Sequence, residues 1–242
     1  MSGPPPDVSV VIPVFDERES LAPLLDEIAR ALPDGRYEVV AVDDGSTDGS
    51  LDELRRLRRT HPELRVLALA RRSGQSAALC AGWEGARAPV VVTLDADGQN
   101  DPADIPRLLD SLAGDPALAM AAGTRAPRRD PGWKRAQSRF ANRLRDWITG
   151  HRVSDTGCGL KAARRPALLG LPRFDGMHRF LPTLVTLAGG RVTEVPVGHR
   201  PRLRGRSKYT ARNRAARALR DAFGVRWLAR RRLRYDAREV GE

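Results

Sequence analysis

Along the first half of the chain the apolar positions alternate between two kinds of run. The stretch VSVVIPV, from Val8 to Val14, is almost continuously apolar and β-branched, the composition of a strand buried on both faces. After Phe15, Asp16 and Glu17 the period changes. Leu21, Leu24, Leu25, Ile28, Ala29 and Leu32 recur at spacings of three and four, which predicts an amphipathic helix ended by Pro33 and Gly35. The alternation then repeats. Strands are predicted at Tyr37 to Val42, Leu64 to Ala70 and Val90 to Leu94, separated by a helix carrying Leu51, Leu54 and Leu57 and by an alanine-rich helix reaching about Ala88. Further on come a helix over Asp104 to Ala113, an apolar run at Ala117 to Ala122, and a helix around Ser138 to Thr149. A short helix over His178 to Ala188 and a strand over Arg191 to Val197 follow. Strands alternating with helices mean βαβ units, so the expected fold is α/β, a mostly parallel sheet flanked by helices.

Open α/β sheets bind ligands at the carboxyl ends of their strands, so the polar residues that follow the apolar runs are the place to look for chemistry. VVVTLDADGQNDP, from Val90 to Pro102, opens from a buried strand into Asp95, Asp97, Gln99 and Asp101 at alternate positions. Closely spaced carboxylates there form a hard-cation site able to hold a diphosphate through the metal. The loop from Asp43 to Ser50, DDGSTDGS, ends the second strand. Its Thr47, Asp48 or Ser50 suit a helix cap, and Asp43 and Asp44 suit hydrogen bonds to a base or a ribose. Neither GxGxxG after the first strand nor GxxxxGK[ST] occurs, which disfavours a Rossmann dinucleotide site and a P-loop. A Pro- and Arg-rich loop over residues 126–135 and the glycine-punctuated run Ser154 to Lys161 are the remaining candidates for ligand contact.

Charge sharpens the picture once it is located. The net charge is +12, and residues 200–242 hold 15 Lys or Arg against 4 Asp or Glu, leaving 27 basic and 26 acidic residues before them. The basicity therefore belongs to the tail. From Thr210 to Asp236 the tail reads as a helix in which Ala215, Leu219, Phe223 and Trp227 recur every fourth residue among arginines, the pattern of an interfacial anchor for an anionic membrane surface. A nucleic-acid partner would explain the tail but not acidic loops at several strand ends, so none is expected. Cys80 and Cys158 make no disulfide framework or metal spacing, and His61, His151, His178 and His199 show no ligand spacing. Neither a secretory leader nor an apolar run of about 18 residues is visible, which predicts a cytoplasmic protein peripheral to the membrane.

Taken in register, VSVVIPVFDE, VDDGSTDGS, the Gly74-Gln75 helix start, LDADGQNDP, DTGCGLK and HRPRLRGRSKY resemble family 2 glycosyltransferases of the GT-A fold. Within that family they are most similar to the polyprenyl-phosphate sugar transferases typified by dolichyl-phosphate mannose synthase. The resemblance covers roughly Val8 to Tyr209 and implies a GT-A (Rossmann-like) domain over 1–209, with 210–242 as the basic amphipathic helical tail. It implies that Pro13, Phe15 and Glu17 line a nucleotide pocket, that Asp44 contacts the base with Asp43 close by, and that Asp95, Asp97 and Gln99 hold Mg2+ or Mn2+. Arg125 matches a position facing the diphosphate or sugar, and Arg202, Ser207 and Lys208 match the motif for the acceptor's phosphate. The implied reaction is inverting transfer of a hexose, mannose or glucose foremost, from a GDP- or UDP-sugar to a polyprenyl monophosphate. A hydroxyl acceptor on a cell-envelope glycan is the alternative; it requires a base, for which Asp155 is the nearest spare carboxylate. Many bacterial members append two transmembrane helices, where this chain carries the basic amphipathic stretch.

Overall fold

The computed structural model describes residues 5–33, 36–125, 155, 157–201 and 211–231, without the side chains of 211–219. The loop 126–135, the helix expected around Ser138 to Thr149, and Arg202, Ser207 and Lys208 lie outside the described residues. By internal contacts the chain divides into two units, and of the described residues 5–125 and 155–201 belong to the first and 211–231 to the second.

The first unit is a seven-stranded sheet in the order β3-β2-β1-β4-β6-β5-β7. Its strands are β1 (Val8–Val14), β2 (Tyr37–Asp43), β3 (Leu64–Ala68), β4 (Val90–Thr93), β5 (Leu118–Arg125), β6 (Lys161–Arg164) and β7 (Arg191–Val197). The intervening helices are α1 (Arg18–Ala31), α2 (Ser50–Leu57), α3 (Gln75–Gly85), α4 (Ile105–Gly114), α5 (Arg165–Leu169) and α6 (Leu181–Leu187). β1 pairs in parallel with β2 and β4, β2 with β3, and β5 with β7. β6 runs antiparallel between β4 and β5. The mostly parallel α/β architecture read from the alternation of periods is the one observed, and the β7 bounds match.

Both faces of the sheet are covered, which is why its strands are apolar without alternation. Val10, Val11, Ile12, Val39, Val40, Val91 and Val92 are fully buried, and Leu24, Leu25, Ile28, Ile105 and Leu108 of α1 and α4 are buried with them. Each such side chain contributes about 1.5–3 kcal/mol through removal from water. On α3 the packing is closest at Gly82, where a Cβ would run into Val11 Cγ1.

Topology explains where the chemistry collects. The chain steps outward from β1 through β2 to β3, then returns to place β4 on the other side of β1. The crevice at the carboxyl ends of β1 and β4 is thus a switch point of the sheet. Because β6 runs the opposite way, its first residue, Lys161, pairs with Thr93 and Ala122 near the ends of β4 and β5. Lys161 therefore sits on the same edge as Asp43, Asp95 and Arg125.

In the second unit the described element is α7 (Ala211–Arg231), within the helix expected over Thr210 to Asp236. Ala222 and Val225 are buried there, whereas Phe223 and Trp227 are 53% and 60% exposed.

Candidate active site

The first wall of the crevice is made by two loops bonded to each other. Asp16 takes a positive φ of 52°, uncommon for a residue with a side chain, and its Oδ1 accepts the Thr47 N–H at 2.7 Å. In return the Asp16, Glu17 and Arg18 amides donate to Ser46 Oγ, Ser50 Oγ and Asp48 Oδ2. These bonds fix Phe15 and Glu17 beside the β2 loop. The Arg72 guanidinium lies 4.1 Å from the centre of the Phe15 ring, a cation–π contact. Helix α2 is capped by Gly49, whose φ is 87°, and not by Thr47, Asp48 or Ser50; Asp48, one residue earlier, accepts the Ser50 N–H at 2.9 Å.

The two aspartates at the end of β2 are buried and differently employed. Asp44 accepts the amides of Ser73 and Gly74, with Oδ1 2.6 Å from Ser73 N and Oδ2 2.8 Å from Gly74 N. It thereby fixes the loop that starts α3. Asp43 Oδ2 takes the Gly45 and Ser46 amides, while Oδ1 is buried with no hydrogen-bond partner among the described residues. A buried carboxylate oxygen without a donor is costly, and an N–H brought by a ligand removes that cost.

The acidic loop forms the centre. Asp95 and Asp97 follow β4, and Asp97 Oδ1 accepts the Gln99 N–H at 3.1 Å. Gln75, first residue of α3, donates from Nε2 to Asp95 Oδ1 at 2.9 Å. Asp95 keeps one edge toward solvent but is otherwise surrounded by protein. Burial, and then the charge of Asp97, push its carboxyl up to about 6, against the pull of Lys161, Arg125 and the Gln75 bond. Lys161 is buried and donates from Nζ to the Cys158 carbonyl; burial holds its ammonium below the ordinary lysine range.

Arg125 ends β5 and forms a two-pronged pair with Asp155, Nε to Oδ2 at 2.6 Å and Nη2 to Oδ1 at 2.8 Å. Burial alone would raise the Asp155 carboxyl, but the Arg125 bond and charge, with the Arg125 and Gly157 amides, hold it below the ordinary value. The glycine run has a specific reason. Thr93 Oγ1 donates to the Gly159 carbonyl at 2.7 Å, pressing that backbone against Asp95, and a Cβ on Gly159 would occupy the Asp95 carboxylate. Neither Gly157 nor Gly159 has a positive φ, so close approach and not turn geometry demands glycine there.

The acidic residues expected to act together are thus assembled on one edge with Arg125 beside them. Gln75, Lys161 and the Asp155 partnership were missed, since each meets the loop through long-range packing. A resident metal would draw on Asp95, Asp97 and Gln99. These are hard oxygen donors without sulfur or imidazole, which suits Mg2+ or Mn2+. No group of three or more His, Cys, Asp or Glu arranged to hold a metal occurs among the described residues.

The mostly parallel sheet carries Asp95 and Asp97 after β4 and a second acidic loop after β2, on the far side of β1, an architecture it shares with glycosyltransferases of the GT-A fold. A mannosyltransferase from Pyrobaculum calidifontis, solved in complex with GDP-Man and Mn2+, superposes with a TM-score of 0.68 at 27% identity, covering 91% of this chain and 64% of that one. Glucosyl-3-phosphoglycerate synthase from Mycobacterium tuberculosis, solved with Mn2+ and UDP-glucose, shares the fold at a TM-score of 0.67 and 22% identity, covering 91% of this chain and 80% of that one. Residues 9–170 match the family described as Glycosyl transferase family 2, and the chain belongs to that family. Among curated relatives, dodecaprenyl-phosphate galacturonate synthase of Rhizobium johnstonii is 36% identical over 238 residues, 96% of this chain and 69% of the relative. Undecaprenyl-phosphate 4-deoxy-4-formamido-L-arabinose transferase of Pseudomonas syringae is 41% identical over 207 residues, 84% of this chain and 60% of the relative.

Proposed function

We propose that the protein transfers a sugar from a nucleoside diphosphate to a polyprenyl monophosphate, with inversion at the anomeric carbon. The observation that carries this reading is the pairing of an acidic, partly open Asp95 and Asp97 site with a fully engaged Asp155. A hydroxyl acceptor needs a base, and the carboxylate considered for that role is committed to Arg125, whose bond and charge lower its affinity for a proton. A phosphate acceptor is already an anion and needs none. Both curated relatives are named for polyprenyl-phosphate products or acceptors, which supports the same choice.

Each residue then has a task. Phe15 and Glu17, with Pro13 behind them on β1, line the nucleotide pocket. Asp43 Oδ1 accepts an N–H from the base, which uracil and guanine both possess, so GDP- and UDP-sugars both fit. This moves the base contact from Asp44, whose oxygens hold Ser73 and Gly74, to its neighbour. Asp95, Asp97 and Gln99 would hold Mg2+ or Mn2+, which neutralises charge on the departing diphosphate. Gln75 orients Asp95, and Arg125, braced by Asp155, adds a fixed positive charge. Arg202, Ser207 and Lys208 bind the acceptor's phosphate. The sugars named for the curated relatives are galacturonate and a formamido-arabinose, so the mannose or glucose expected from the resemblance is not what those relatives support.

No described helix is long and apolar enough to cross a membrane. Phe223 and Trp227, one turn apart on α7 and exposed, stand among arginines and are suited to the interface of an anionic membrane on its cytoplasmic face. The test of the function is a transfer assay with purified protein, polyprenyl phosphate in detergent, and Mn2+ or EDTA. The donor panel includes galacturonate and formamido-arabinose nucleotides beside mannose and glucose. A metal-dependent glycolipid, lost in Asp97→Asn, is expected; donor hydrolysis without glycolipid would refute the lipid acceptor.

A further inference from the structure

Helix α3 begins at Gln75 without a side-chain cap, because the residue before it is Gly74. Its start is tied instead to three other elements through three successive residues. Asp44 Oδ2 accepts the Gly74 amide at 2.8 Å, Gln75 Nε2 donates to Asp95 Oδ1 at 2.9 Å, and Ser76 Oγ lies 2.8 Å from Nδ1 of His178. His178 stands on a 3-10 turn, Met177–Phe180, that runs along the same face of α3. Cys80, one helical turn beyond Ser76, meets Met177 there, Sγ to Sδ at 3.8 Å. Met177 and Phe180 are buried, so the turn is itself anchored in the core.

The contact between Ser76 and His178 has one chemically consistent polarity. Ser76 is buried, and its Oγ already accepts the Gly176 N–H at 3.0 Å. The hydroxyl has a single proton to give, and His178 Nδ1 is its described acceptor. Leaving that proton unpartnered inside the protein would cost the hydrogen bond, so Nδ1 accepts and the ring proton sits on Nε2. This arrangement requires a neutral imidazole. Burial, and then the charges of Arg179 and Lys161, hold His178 down to about 3, so the ring is neutral near pH 7.

We infer that His178 is a positioning residue of the acidic site: by accepting the Ser76 hydroxyl it fixes the first turn of α3 and keeps the Gln75 amide on Asp95. This rests on the proposed function, in which Asp95 helps to hold the metal. Losing a group that orients a metal ligand lowers metal affinity about ten- to a hundredfold. Gln75 is that group for Asp95, and His178 acts through it.

The test titrates Mn2+ calorimetrically in the presence of GDP and, separately, of UDP, and records melting temperatures of the same proteins. The variants are Gln75→Ala, His178→Ala, His178→Asn, Ser76→Ala and the double variant Gln75→Ala with His178→Ala. Gln75→Ala is expected to weaken Mn2+ binding about tenfold or more, and His178→Ala at least about threefold. The double variant should lose no more than about twofold beyond Gln75→Ala alone, as residues acting in series do, whereas a merely structural His178 would add its own loss. His178→Asn, whose Oδ1 can accept the Ser76 hydroxyl in place of Nδ1, should bind Mn2+ within about twofold of wild type. Ser76→Ala should reproduce the loss, and it replaces His178→Ala in the comparison if that variant folds poorly. No loss in Gln75→Ala, a loss below about threefold in His178→Ala, additive losses in the double variant, or no recovery in His178→Asn would each overturn the inference. A wild type that binds Mn2+ but makes no glycolipid removes the lipid acceptor and leaves the role of His178 intact; one that binds no Mn2+ overturns both.

Discussion

The sharpest consequence of the geometry concerns Gly159. A Cβ at this position would lie 2.1 Å from Asp95 Oδ2, 2.4 Å from Cγ and 2.9 Å from Oδ1. Reaching even 3.0 Å, the shortest approach a real Cβ makes, requires the pair to separate by 3.0 − 2.1, about 0.9 Å. The glycine side cannot easily supply that movement. Its carbonyl is held by Thr93 Oγ1 at 2.7 Å, and Leu160 next to it is fully buried and carries the carbonyl that receives the Gly123 N–H at 3.0 Å. Asp95 must therefore give way, and with it the bond from Gln75.

Gly159→Ala should cost about 1–3 kcal/mol of stability as an overpacked site. Its larger effect is functional. Moving a proposed metal ligand by about 1 Å is expected to lower turnover on the order of a hundredfold, about 2.7 kcal/mol of transition-state stabilisation. Calorimetric titration of Mn2+ in the presence of nucleotide, beside the rate of glycolipid formation, reads both parts. Gly114→Ala is the control, because nothing lies within 4 Å of a Cβ there. If Gly159→Ala binds Mn2+ and turns over within about threefold of Gly114→Ala, the close approach does not constrain the site and the reasoning fails.

Other outcomes follow from the same arrangement. The Asp95 carboxyl is raised to about 6, so the folded protein without metal binds this proton more tightly than the unfolded chain does. Stability of the metal-free protein should fall as pH rises from about 4 to 6, and Mn2+ affinity should drop about tenfold per unit below 6, both followed by melting and titration across pH. Asp43→Ala should weaken UDP or GDP binding by about tenfold or more, because an acceptor buried beside the pocket is lost; unchanged affinity by calorimetry would return the base contact to Asp44. Replacing Phe223 and Trp227 together by Ala should reduce flotation with anionic vesicles several-fold without lowering the melting temperature, since both side chains are exposed.

How much of this could be read from the chain depends on where the information lies. β1 and β7 were legible because their apolar runs are bounded by turn residues, and the acidic loop because Asp95, Asp97 and Gln99 share one stretch of sequence. Lys161 was read as the end of a glycine-punctuated loop and no strand was expected over β6, for an equally physical reason. Ala162 and Ala163 are fully buried between β4 and β5, but the strand reads Lys-Ala-Ala-Arg, so no β-branched apolar run marks it. Its antiparallel direction was invisible too, and with it the arrival of Lys161 at the acidic edge. The same holds for the groups that support the site. Gln75 reaches Asp95 across 20 residues, Asp155 reaches Arg125 across 30, and His178 reaches Ser76 across 102. A carboxylate that looked spare in the sequence, Asp155, is occupied for this reason, and its occupation argues for an acceptor that brings its own negative charge. Local pattern thus locates the acidic loop proposed for the donor, whereas the proposed choice of acceptor rests on pairings that only the folded sheet creates.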